Sequence, residues 1–240
     1  MTDILSILSG LPSTTVLITL AATASLLVIL ADWRVLNLLL GIEYLLIGAL
    51  LIVSRIDGFP AELAIVKALV GVMIAPVLYI SARRARWGKN PDEEDDAESE
   101  APKARFTWLC ASGSSAGLLA VLRTGLALRT IVALLGAAAA LSLALRSPIS
   151  FITPQTAARD ITIATFVLIG QGLLNLALNE NPFKVGLGLL TVAAGFELFY
   201  TPLEPSLLVV ALLGLVNLLI ALALSYLVAA WAARPRGAPQ

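Results

Sequence analysis

Seven runs of about twenty residues, almost free of charge, dominate the chain. They lie at about 13–31, 35–53, 61–82, 127–145, 160–178, 183–200 and 206–230. An α-helix rises about 1.5 Å per residue, so a run of that length matches the roughly 30 Å hydrocarbon core of a bilayer. In hydrocarbon every backbone N–H and C=O needs a partner within the protein, which leaves helices or closed barrels. Barrel strands are only about 9–11 residues long. The runs therefore predict an all-α fold, a polytopic transmembrane helix bundle of about seven spans.

Composition closes other routes. Apolar residues make up 59% of the 240 positions and charged residues 13%, against about 25% charged in soluble domains. The net charge is zero, so no global attraction draws the chain to nucleic acid. Cys110 is the only cysteine and histidine is absent. That excludes an intrachain disulfide and a Cys/His set for zinc, haem or an iron–sulfur cluster, and no metal or cofactor is expected. No phosphate-binding glycine loop and no nucleophile with a histidine base is present, so catalysis by this chain alone is not expected. The N-terminus lacks the basic region of a cleavable signal peptide, and its first run reads as a permanent span.

Charges crowd between residues 83 and 105, with an acidic run from Asp92 to Glu100. This segment has nothing to bury and reads as a solvated linker. It separates a first three-helix unit (1–82) from a middle section (106–146) and a second three-helix unit (160–230). Within the middle section, 106–122 is apolar but short and polar in part. It reads as a surface or re-entrant segment, with an eighth span as the alternative. The positive-inside rule favours seven spans. With the N-terminus outside, twelve Lys and Arg residues fall inside, among them Arg34, Arg83, Arg84 and Lys184. Only Arg55, Arg146 and Arg159 fall outside. The expected location is the cell (inner) membrane, with the linker and the C-terminus cytoplasmic.

The halves echo each other. Gly41 and Gly48 are spaced seven apart in the second span, as are Gly188 and Gly195 in the sixth, and each of these spans carries one glutamate, Glu43 or Glu197. With the fourth span as a return crossing, the halves share one orientation, a parallel repeat. The four glycines suit close helix packing.

An ionisable residue within a span costs several kcal/mol, roughly 2.5–3.5 on insertion scales, and marks a functional site by default. Glu43, Lys67 and Glu197 are in that position, and Asn217 is a polar fourth. Counted along the helices, Lys67, Glu197 and Asn217 fall at one level, with Glu43 about 8 Å nearer the inner side. Side chains lean toward the helix N-terminus, which separates Glu43 from Lys67 further. A water-linked step or a partner on another subunit is expected in place of a direct Glu43–Lys67 pair. All four are proton-relay candidates, with helix glue as the alternative role.

The segment Gly41-Ile42-Glu43-Tyr44-Leu45-Leu46-Ile47-Gly48-Ala49, after Arg34, resembles the second helix of subunit K of respiratory complex I. Ile65-Val66-Lys67-Ala68-Leu69, followed by Pro76-Val77-Leu78-Tyr79-Ile80-Ser81-Ala82-Arg83, is similar to the third helix of component E of hydrogenase-4-type complexes. Asn181-Pro182-Phe183-Lys184 is similar to the opening of a later glutamate-bearing helix of that component. The pattern departs from the family at Ala193, where the later glutamate is expected, and at Asn217, where the last helix is expected to carry an acid. Pro76 also stands a turn further from Lys67 than in the family. The resemblance implies a subunit in the membrane arm of a redox-driven or antiporter-type proton or sodium pump. Its partners would be other membrane subunits, antiporter-like ones among them, with the electron-transfer centres held elsewhere. A non-conducting scaffold subunit and a stand-alone secondary transporter are the competing expectations.

Overall fold

The computed structural model describes residues 12–30, 32–54, 61–84, 125–146, 155–179, 181–204 and 206–232. These form seven helices: α1 (Ser13–Ile29), α2 (Trp33–Val53), α3 (Ala61–Arg84), α4 (Gly125–Arg146), α5 (Gln155–Leu178), α6 (Pro182–Tyr200) and α7 (Leu207–Ala232). No strand occurs among the described residues. Helices α2 to α7 are each long and apolar enough to cross a membrane, so the chain folds as a multi-pass membrane helix bundle. Helix α1 differs from the expectation of a full-length first span. It is apolar but only 17 residues long, because the chain is already extended at Leu30 on its way into α2. The other helices outrun their expected limits at one end or both, most of all α5, which starts at Gln155. The expected linker lies outside the described residues apart from Arg83 and Arg84, and 106–122 lies outside them entirely.

Local chemistry sets the helix starts. Asp32 caps α2, its side chain accepting from the Arg34 N–H at 3.0 Å. Asn181 caps α6 in the same way, accepting from the Phe183 N–H at 2.9 Å, with Pro182 in the first turn. Both caps satisfy backbone donors that have no partner within the helix. Hydroxyls inside the helices turn back on their own backbone, as Thr23 does to the Leu20 carbonyl and Ser25 to that of Ala21.

Six of the helices pack as two rows of three. In one row α2 lies between α1 and α3, and in the other α6 lies between α5 and α7. The rows face each other like on like, with α1 against α5, α2 against α6 and α3 against α7. Helices α3 and α7 run in the same direction. Val70 lies where a side chain at Gly214 would fall, and the Ser81 hydroxyl donates to the Ser225 carbonyl, 144 residues on in each case. Helix α4 stands outside the rows, against α5 and α1, and is the least buried of the spanning helices. Its outward leucines, among them Leu134 and Leu135, are exposed, as suits a face turned to lipid.

Candidate functional site

The middle helices of the two rows carry the buried acids. Helix α2 buries Asn37, Glu43, Tyr44 and Gly48, and α6 buries Lys184, Gly188, Thr191, Gly195 and Glu197. Asn37 and Gly48 turn to α3 and Gly188 and Gly195 to α5, each within its own row. Glu43, Thr191 and Glu197 reach across between the rows.

Lys67 and Glu197 form a salt bridge there, between α3 and α6. Lys67 is 1% exposed and Glu197 2%. The partner of Lys67 is thus supplied by the same chain, and it is Glu197, not Glu43. Level counting had put the two residues at one depth. What it could not supply was the facing of α3 toward α6, which rests on how the rows assemble.

Glu43 is fully buried and has no such partner. Its Oε2 accepts only a long hydrogen bond from the Thr191 hydroxyl of α6, at 3.4 Å, and its Oε1 has no hydrogen-bond partner among the described residues. The single salt bridge among the described residues is the Lys67–Glu197 pair. Glu43 stands close to that pair along the bundle: a Cβ on Gly71 would fall on the Tyr44 side chain, and Gly71 lies one helical turn from Lys67, about 6 Å.

Asn217 of α7 is 1% exposed and donates to the Tyr44 hydroxyl of α2 at 3.0 Å. It joins the last helix to the residue next to Glu43. Three of the contacts between the rows thus carry the four relay candidates: Lys67 with Glu197, Thr191 with Glu43, and Asn217 with Tyr44.

The four glycines behave unequally. A Cβ on Gly188 would meet the Gly172 carbonyl oxygen at 2.9 Å, and one on Gly195 would meet Ile169 at 2.9 Å, so both sit where α6 presses on α5. A Cβ on Gly48 would meet the Ala64 carbonyl oxygen at 2.9 Å, between α2 and α3. At Gly41 it would meet only the Ala75 methyl, at 3.5 Å, an ordinary contact.

Several buried polar residues escaped the reading of the sequence. Lys184, counted there as an inner-surface cation, is 5% exposed and donates through Nζ to the Leu30 carbonyl at the end of α1, at 2.6 Å. A cation at a helix C-terminus meets carbonyls that have no partner within the helix. Thr191 and Tyr44 also went unmarked. Thr191 follows Gly188 by three residues on the same face, a spacing that could have flagged it. Asn37 and Gln171 tie α2 to the Ala75 carbonyl and α5 to that of Ala133. No group of three or more metal-ligating side chains occurs among the described residues.

Comparison with protein-family models, with curated proteins and with solved structures gives no match to this chain.

Proposed function

We propose that the chain is a membrane subunit of an ion-translocating assembly, of the complex-I-like or hydrogenase type that its sequence resembles, and that Glu43 is its proton-carrying or ion-carrying group. The observation that carries this reading is the contrast between the two buried acids. Glu197 is held by Lys67, whereas Glu43 has one weak hydroxyl contact and a free oxygen in the centre of the bundle. An ionisable group kept within a span without a partner costs several kcal/mol and stands there for function by default. A carboxyl in that position can take up and release a proton, and the neighbouring Lys67–Glu197 pair supplies charges that respond to its state.

The same contacts support a parallel two-fold repeat, α1–α3 and α5–α7, with α4 as the return helix. Like helices face each other, α2 and α6 start with the same side-chain cap, and α3 runs alongside α7. In this arrangement the bundle centre is the repeat interface, where transporters commonly place their ion sites. The proposed partners are other membrane subunits, which would continue the path beyond Glu43. The proposed orientation keeps the linker and the C-terminus on the inner side.

A scaffold role is the second reading, and the closed Lys67–Glu197 pair favours it, since such a pair also serves as glue between helices. Glu43→Gln separates the two. Gln keeps the size and hydrogen bonding of Glu but cannot exchange a proton. On the translocation reading, the variant assembles normally and ion movement per assembled complex falls more than about tenfold, within the usual range for loss of proton transfer. Unchanged ion movement per complex would leave the scaffold.

A further inference from the structure

On the outer side of the first row, α2 and α3 leave a groove of about 390 Å³ between them. Gly41, Gly71 and Ala75 form part of its wall, and small side chains there leave the space open. The groove runs along α2 from Arg34 to Leu45, a length of about 16 Å at the helical rise, or roughly one leaflet of a bilayer. Its two ends differ in chemistry. The deep end, around Ile42, Leu45 and Val72, is wholly apolar. The shallow end carries Arg34, Asn37 and Tyr79, and Tyr79 pairs with Trp33 at 5.4 Å between ring centroids. Paired Trp and Tyr rings are typical of the membrane–water boundary.

Among the described residues, two groups at the shallow end lack polar side-chain partners. Arg34 forms no salt bridge among the described residues and lies 5.4 Å from the centroid of the Trp33 ring. The nearby Asp32 carboxylate is occupied in capping the Arg34 backbone N–H. Asn37 is 6% exposed and spends its amide N–H on the Ala75 carbonyl, which leaves its Oδ1 buried without a donor. Opposite it, Pro76 lies inside α3. The groove thus offers one cation at its mouth and an apolar slot one leaflet deep.

We propose that this groove is a binding site for an anionic glycerophospholipid. One acyl chain lies in the slot between α2 and α3, and the phosphate sits at Arg34. A chain without a charged head would leave Arg34 unmatched. A zwitterionic head would add a cation beside it.

The test uses the full-length protein in mild detergent, with native mass spectrometry at equal concentrations of phosphatidylglycerol and phosphatidylcholine bearing the same acyl chains. One basic contact near a membrane surface favours the anionic lipid by about fivefold, so the protein should retain one phosphatidylglycerol in roughly that preference. Arg34→Gln should bring the two lipids to parity, and Arg34→Lys should restore most of the preference. Val72→Trp, placed from an exposed position of α3, should fill the slot and abolish retention of either lipid while helix content by circular dichroism stays unchanged. Equal retention of the two lipids by the unaltered protein would overturn the proposal, as would retention of neither. So would undiminished phosphatidylglycerol binding by a folded Val72→Trp variant.

Discussion

Glu43 and Glu197 occupy corresponding helices, both lie out of reach of solvent, and both face the other half of the protein, yet their surroundings differ in kind. Glu197 is charge-matched by Lys67 and belongs to the framework. Glu43 meets a hydroxyl across the same interface and keeps one oxygen free. Two acids on the middle helices of the two rows thus differ in what meets them across the interface, a lysine for one and a hydroxyl for the other. On the proposed function, the first would fix how the rows dock, and the second would be the one able to change its protonation without undoing that docking.

The largest effect should come from breaking the matched pair. Lys67→Met leaves a carboxylate uncompensated in the bundle, and removal of one partner of a buried pair costs about 3–5 kcal/mol. Unfolding titrated with a denaturing detergent should show that loss, and Lys67→Met combined with Glu197→Leu should recover most of it. A single variant as stable as the parent would mean that the pair does not hold the halves together.

Packing between α5 and α6 comes next. Gly188→Ala forces its methyl against the Gly172 carbonyl, and overpacking of this kind costs about 1–3 kcal/mol. Gly41→Ala meets only a methyl at contact distance and should be close to neutral in the same titration. Equal losses at the two glycines would contradict the closer approach at Gly188 than at Gly41.

Asn217→Leu removes the hydrogen bond to Tyr44 and one tie between the rows. Interhelical hydrogen bonds in membranes are worth about 0.6 kcal/mol on average, and up to about 1.7. A loss well above that range would show Asn217 to be part of the charged framework. Among the polar changes, the smallest stability effect should be that of Glu43→Gln, under about 1 kcal/mol, since only one long hydrogen bond is exchanged. If Glu43→Gln destabilised the bundle as much as Lys67→Met, the distinction between the two acids would collapse.

Much of the architecture was legible along the chain because the bilayer reads one dimension. Span length, charge-free runs and polar turns are local quantities, and they located the seven helices to within a few residues. Errors fell where local sequence is silent about an end, as at the start of α5 and the end of α3. The buried ionisable residues were equally legible, because charges are rare in such runs. The contact of Lys184 was not legible, because its place near a span end leaves open what it meets, and the folded bundle directs it to the Leu30 carbonyl.

The sequence by itself determined that the chain carries helices long and apolar enough to cross a membrane and that Glu43, Lys67 and Glu197 lie within them, since hydrophobic length and charge spacing act residue by residue. Only the tertiary structure decided that Lys67 joins Glu197, that Glu43 is left with Thr191, and that Asn217 reaches Tyr44. Each of those contacts joins positions more than a hundred residues apart. Apolar helices have similar surfaces on many sides, so hydropathy cannot choose which face meets which. Close approach at a few glycines and the need to match buried polar groups make that choice.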